Sequence, residues 1–213
     1  MVEQRQEFQR ELEAIDAKVT GLFAMVAEDL PGATYALLSG NSEALGVLAE
    51  REQVFDALYQ EIDQLASREI LLQAPVASDL RFLLSVLRVV PELERSHDLV
   101  VQIVAGASRI LSDDLSPVSR RLVEQMGDLA WGMWRQVTDS WRHRDRSVAL
   151  ALIERHDTMD ELHASLLAEL AAGRITPPAI MEMTLVARFY QRLSDHAVNV
   201  ARRVIYLAGS AAG

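Results

Sequence analysis

Apolar residues recur at threes and fours along almost the whole chain, which is the spacing of one helix face. From residue 3 to 30 the series is Phe8, Leu12, Ile15, Val19, Leu22, Phe23 and Val26. Pro31-Gly32 then either ends this helix or kinks it, with a continuation through Tyr35, Leu37 and Leu38. Gly40-Asn41 is a stop signal, Ser42 is placed to cap the next helix, and Glu43 suits its first turn. The second helix runs to about Gln73, with a seam of Leu45, Ala49, Glu52, Asp56, Tyr59, Asp63, Ala66 and Ile70. Pro75 separates it from a third, over 76–109, whose first turn holds Ser78 and Asp79. Pro91 lies inside that helix and predicts a local kink just before Glu94.

The Ser112-Asp113-Asp114 cluster and the Ser116-Pro117 pair, an N-cap followed by proline at the first helical position, mark a boundary. The plan then repeats. A helix over 117–142 carries Leu122, Met126, Leu129, Met133 and Trp134, and another over 145–171 carries Val148, Leu152, Leu162, Leu166, Leu167 and Leu170. Gly173 stops it, and Thr176-Pro177-Pro178 starts a last helix that reaches about Leu207. Period-two alternation is absent, so nothing reads as strand. The expected fold is all-α: two tandem antiparallel three-helix bundles, 1–112 and 113–213. The two units echo each other. Within Pro91–Ala105 and Ala187–Ala201, Arg95 matches Arg192, His97 matches Ser194, Asp98 matches Asp195, and Gln191 stands where Glu94 stood.

Charge changes this picture at a few positions. Glu94 and Asp98 sit four residues apart, in step with Leu80, Leu84, Leu87, Val101 and Ala105, which places two carboxylates in the centre of an apolar stripe. Like charges there are costly, and either a bound cation or protonation with a raised pKa offsets them. Glu52 and Asp56 form a matching pair on the preceding helix. In an antiparallel bundle the four carboxylates converge on one groove, a donor set for hard cations and, on neighbouring helices, for di-iron centres. The bland alternative is solvated acids paired with Arg51 or Arg95. In the second unit His156, Asp160 and His163 share a face opposite Gln191 and Asp195, a set suited to zinc, iron or manganese. Arg188 and Arg202 share that register, so this groove is less acidic and suits even an anion. His97 and His196 lie off the carboxylate registers and read as packing or rim residues. Trp131, Trp134 and Trp141 read as core or interface, with an exposed aromatic patch as an option, and Arg142, Arg144 and Arg146 as a basic corner, a solvated loop by default with an acidic partner as the alternative.

Composition removes whole classes. A net charge of −10 opposes general nucleic-acid binding, and the lack of Cys excludes disulfides, Fe–S clusters and thiolate zinc sites. The N-terminal segment is charged throughout and no uncharged run reaches membrane-span length, which makes a soluble cytoplasmic protein the expectation. No Gly-rich phosphate loop and no Ser–His–Asp arrangement is present. Glu94-Arg-Ser-His97 is the single Glu-x-x-His match on the acidic helices, which counts against an oxygen-activating enzyme.

Leu-Glu-Arg-Ser-His-Asp-Leu (93–99), Pro-Val-Ala-Ser-Asp-Leu-Arg (75–81), the segment 187–201 and the ending Val204-Ile-Tyr-Leu207 together resemble the PhoU family of phosphate-signalling regulators. The resemblance covers nearly the whole chain. It implies two tandem three-helix bundles whose (Glu/Asp)-x-x-x-Asp motifs bind multinuclear iron, zinc or similar metal clusters, with manganese and magnesium as further options. It also implies a non-enzymatic negative regulator of phosphate uptake and of the starvation response. Such a protein stands between the ATPase of a phosphate ABC transporter and a sensor histidine kinase, reaching the membrane through its partners, and is expected to be a homodimer. Carried over by position, Glu52, Asp56, Glu94 and Asp98 fill the first motif pair, and Asp160 and Asp195 fill half of the second. His156 and Gln191 depart from it. A carboxylate-bridged di-iron oxidase and a metal-buffering helical protein are the rival readings.

Overall fold

The computed structural model describes residues 2–41, 44–107, 115–173 and 175–209. Its seven helices are α1 (Val2–Ser39), α2 (Ala44–Gln73), α3 (Ala77–Ala107), α4 (Pro117–His143), α5 (Arg146–Glu154), α6 (His156–Ala172) and α7 (Pro177–Ala208). No strand occurs among the described residues. No described helix is long and apolar enough to cross a membrane. The two tandem bundles expected from the pattern are present: α1–α3 form one, and α4, the α5–α6 pair and α7 form the other.

Punctuation residues act largely as their chemistry dictates. Ser116 caps α4, its Oγ accepting the Ser119 N–H at 3.0 Å, with Pro117 opening the helix. Thr176 with Pro177 opens α7. Pro31 and Pro91 are carried inside α1 and α3 without ending them. Ser42, Glu43 and the 108–114 boundary segment, on which the unit division at 112 rests, lie outside the described residues. The helix expected over 145–171 is two helices. Asp145 caps α5 by accepting from the Ser147 and Val148 N–H groups, and the chain breaks at Arg155 before α6. Neither Gly nor Pro marks that break, so periodicity alone runs straight through it.

The apolar stripes of α2 and α3 lie one residue from the expected register. On α2 the buried positions are Leu48, Phe55, Ile62, Ala66 and Glu69, leaving Asp56 and Asp63 exposed. On α3 they include Leu83, Val86, Val90, Leu93, His97, Val100 and Val104, while Leu84 is 39% exposed. Bulk decides this: Phe55 and Ile62 fill more space between helices than Glu52 or Asp56 would, and take the centre. Glu94 and Asp98 therefore flank the stripe, half-buried, where water still reaches them.

The bundles share one core. α1 and α3 pack on α4 and α7, while α2 and the α5–α6 pair cover the outer sides. Phe23 of α1 meets both Trp134 and Trp141 of α4, with ring centroids 6.3 and 5.6 Å apart, and both indoles are fully buried. Of the basic corner, Arg144 is engaged and not simply solvated. Its guanidinium donates to Asp16 Oδ1 at 2.9 Å and to the Trp141 carbonyl at 2.8 Å, and lies over the Trp141 and Phe82 rings. Trp141 Nε1–H donates to the same Asp16 oxygen at 2.8 Å.

Asp16 thus joins the units through two donors. Asp16→Ala is expected to cost about 1–3 kcal/mol in urea unfolding, the scale for leaving part-buried donors unmatched. In that background Arg144→Ala should cost clearly less than it does alone; equal costs would mean the two residues act independently.

Candidate functional site

Glu52 and Asp56 project from α2, Glu94 and Asp98 from α3, and the groove between these helices brings Asp56 into the fields of both α3 carboxylates. Partial burial pushes the Glu94 carboxyl above its ordinary range, and the charges of Asp98 and Asp56 push it further, against a weaker pull from Arg95. Asp98 is raised by burial first and then by Asp56, opposed by His97. Glu52 stands half-buried one turn before Asp56.

The two arginines able to neutralise this groove turn away from it. Arg51 Nε lies 3.1 Å from Asp29 Oδ1 and its Nη2 3.4 Å from Glu28, both on α1. Arg95 Nη2 donates to Glu92 Oε1 at 2.9 Å and its Nε to the Pro91 carbonyl at 3.1 Å. The reading as ordinary surface ion pairs with Arg51 or Arg95 therefore fails on geometry. What remains is a half-open row of hard oxygen donors, with proton affinity raised at Glu94 and Asp98, a chemistry that suits a hard cation.

The second groove brings its residues together differently. His156 Nε2 is 2.7 Å from Asp195 Oδ1 across the α6–α7 contact, and its Nδ1 lies 3.6 Å from Asp160 Oδ2. Gln191 donates its amide N–H to Asp160 Oδ1 and accepts from Arg188 Nη1. Each of these four side chains, His156, Asp160, Gln191 and Asp195, already has a hydrogen-bonded protein partner. His163 stands beside it, its pKa lowered by burial first and by Arg188 second, with Asp160 opposing. Among the described residues no group of three or more His, Asp or Glu side chains stands close enough together to enclose an ion. The donor set of the first groove fits a cation that draws its side chains in; the second must first give up internal bonds.

One further feature escaped the sequence. Asp29, 8% exposed, faces His97, 1% exposed, with 3.5 Å between Oδ2 and Nε2, and the imidazole stacks on Phe55 at 4.5 Å. Asp29 Oδ2 and His97 Nε2 make no hydrogen bond there. Asp29 follows Leu22 and Val26 in the α1 stripe at spacings of four and three, a polar residue at a core position, which is the signal that would have found it. His97 is a packing residue, as its register suggested. So is His196, buried at 7%, whose Nδ1 meets Ser96 Oγ at 2.9 Å. The Ser96 hydroxyl donates to the Glu92 carbonyl at 2.6 Å, so the His196 Nδ1–H is the donor to Ser96.

A pH dependence follows from the first groove. Glu94 and Asp98 bind protons more tightly folded than unfolded, so in the window from ordinary carboxylate values up to their raised values the folded state holds more protons. Stability then falls as pH rises through that window, and the loss is complete above it. Asp98→Asn is expected to flatten this slope and leave the metal-free protein as stable as before, or more stable, near neutrality. Urea unfolding from pH 4 to 8 in chelator checks it; a large loss of stability would make Asp98 a structural hydrogen-bonding element instead.

The PhoU domain model matches residues 7–106 and again 123–204. The phosphate-specific transport system accessory protein PhoU homolog of Zymomonas mobilis is 30% identical to the chain, over 92% of it and 87% of that protein. The protein of the same name from Pseudomonas putida is 27% identical, over 95% of this chain and 80% of its own. The crystal structure of PhoU from Pseudomonas aeruginosa superposes with a TM-score of 0.87 at 25% identity, covering 94% of this chain and 98% of that one. Two copies of one domain, each laid over a three-helix unit with its own acidic or histidine-bearing groove, make this chain a member of the PhoU family.

Proposed function

We propose that this chain is a negative regulator of phosphate uptake and of the phosphate-starvation response. It acts in the cytoplasm as an adaptor between the ATPase of a phosphate ABC transporter and a sensor histidine kinase, and assembles as a homodimer. The names of its relatives support the setting, since they are accessory proteins of phosphate-specific transport. A single observation carries the metal part of the reading: the carboxylates of the first groove are left without the arginines that stand nearest them in sequence.

Asp56, Glu94 and Asp98 would hold a hard divalent or trivalent cation, with Glu52 one turn away; iron, zinc, manganese and magnesium are the candidates. Such an ion supplies charge neutralisation between α2 and α3. The chain's own contribution is to keep that row of oxygens uncompensated until the ion arrives. No acid–base or nucleophile pair is needed for this, and the role proposed is regulatory and not catalytic. His156, Asp160 and Asp195 form a second, weaker site. A cation there competes with the Asp195–His156 and Gln191–Asp160 bonds.

Deletion of the gene is expected to switch on phosphate-starvation genes in phosphate-replete cells. Unchanged expression would reject the regulatory reading. For the metal, titration with Mn²⁺ and Fe²⁺ should show at least tenfold weaker binding, about 1.4 kcal/mol, in Asp56→Asn/Asp98→Asn, and a smaller loss in Asp160→Asn/Asp195→Asn. The reverse order would overturn the ranking of the grooves. At free metal a hundredfold above Kd the wild type should gain about 2.7 kcal/mol of stability, and Asp98→Asn clearly less.

A further inference from the structure

Between the two units, α1 and α4 run antiparallel and leave a groove, lined by neither α2 nor the α5–α6 pair, that neither metal reading uses. Two cavities, of about 590 and 310 Å³, lie along it and share Trp131 as their common wall. Pro31, Tyr35 and Leu38 line the larger one, with Glu124 and Asp128 on its edge, and Glu28 and Asp139 edge the smaller. Tyr35 is 70% exposed and Trp131 36% exposed, an unusual outlay of aromatic surface in a chain with few aromatics. Close approach of the helices sets the depth between them. A Cβ on Gly127 would stand 2.5 Å from Thr34 Oγ1, so the floor there is backbone.

We propose that this groove docks a cationic amphipathic helix of a partner protein. Shape gives the helix: the lined stretches, residues 24–39 of α1 and 124–139 of α4, each span about 22 Å at 1.5 Å per residue, which a partner segment of about four turns matches. Apolar side chains at i, i+3 or i+4 and i+7 would enter the two cavities on either side of Trp131, the type of residue that anchors interfaces. Charge selects the partner. Four carboxylates rim the groove against one lining cation, Arg135, and Glu124, Asp128 and Asp139 enter no ion pair among the described residues. Arg135 itself lies over the Trp131 ring at 5.1 Å, the contact an incoming Arg or Lys would reproduce. The same rim argues against two other occupants. A second copy meeting this face symmetrically sets acid against acid in a chain of net charge −10. An anionic membrane surface meets the same repulsion.

The inference deepens the adaptor reading, because an adaptor needs a partner-docking face, but its test reads binding to the purified full chain. The probe is a fluorescein-labelled 15-residue peptide with Leu on one helical face and Lys and Ala elsewhere, against a peptide of the same composition with its leucines scattered around the helix. The amphipathic peptide is expected to bind at least tenfold tighter than the scattered one. Glu124→Lys/Asp128→Lys and, separately, Trp131→Ala should each weaken it at least tenfold with urea midpoints near wild type. Trp131→Phe should remove most of the peptide-dependent tryptophan fluorescence change, since Trp134 and Trp141 are fully buried. Equal binding of the two peptides, or wild-type affinity in the charge-reversed and Trp131→Ala proteins, overturns the proposal. A wild-type dimer that Trp131→Ala converts to monomer in sedimentation velocity assigns the groove to a second copy and also overturns it. Derepression on gene deletion combined with unchanged peptide binding in the variants would sink the groove while sparing the regulatory function.

Discussion

Each three-helix unit has more apolar face than it can cover alone, and the other unit must cover it. That constraint organises the molecule. α1 and α3 present one such face, α4 and α7 the other, and between them Trp134, Trp141, Tyr190, Phe23 and Leu22 become fully buried. Burying aromatics of this size is worth about 1.5–3 kcal/mol each in transfer terms, far above what the surface ion pairs contribute. Polar groups caught in the core are matched: Thr34 Oγ1 with Tyr190 Oη across the seam at 2.8 Å, and Trp134 Nε1–H with the Leu193 carbonyl within the second unit at 3.2 Å. Burial raises the Tyr190 hydroxyl far above its ordinary pKa, so it stays a neutral partner to Thr34.

Because the four inner helices spend their apolar faces on each other, the outer helices meet the core from one side only. The edges of those contacts stay half-wet, and there the chain can keep ionisable groups at moderate cost. The two grooves are built on this same ground plan and resolve it in opposite ways. At α6–α7, His156 sits between Asp160 and Asp195, and Gln191 hands an N–H to Asp160. At α2–α3 the equivalent positions hold carboxylates only, and burial first, with the neighbouring carboxylates second, raises the proton affinity of Glu94 and Asp98. One substitution in each pair, Glu94 by Gln191 in the repeat frame and a carboxylate by His156, is enough to replace like charges with hydrogen-bonded pairs.

Much of this was legible in the sequence, where a local chemical rule governs it. Ser116-Pro117, Thr176-Pro177 and Gly173 mark helix ends at once, because caps and backbone constraints are properties of one or two residues. The grouping of Glu94, Asp98 and Asp56, and of His156, Asp160 and Asp195, follows from four-residue spacing and antiparallel packing. The register of the stripes was less legible. On α2 and α3 two neighbouring series both have helical spacing, and only packing against α1 picks the one with Phe55 and Leu93. The break at Arg155 carries no breaker residue. Arg144 reads as solvated because its partner Asp16 lies 128 positions away, a distance over which spacing carries no information.

The same long-range contacts tie the acidic groove to the rest of α1. Glu28 and Asp29 are adjacent there yet serve different surfaces: Glu28 edges the α1–α4 groove, and Asp29 is buried against His97, the neighbour of Asp98. Arg51, the neighbour of Glu52, holds both of them, at 3.4 and 3.1 Å. The two contacts are not equal. Loss of Arg51 would strand a carboxylate oxygen of Asp29 in a site of 8% exposure, a cost of several kcal/mol when one partner of a buried pair is removed. The contact of Arg51 with Glu28 joins a side chain that is two-thirds exposed and contributes little. Arg51 is therefore held chiefly by the buried Asp29, and this hold keeps it out of the acidic groove beside it.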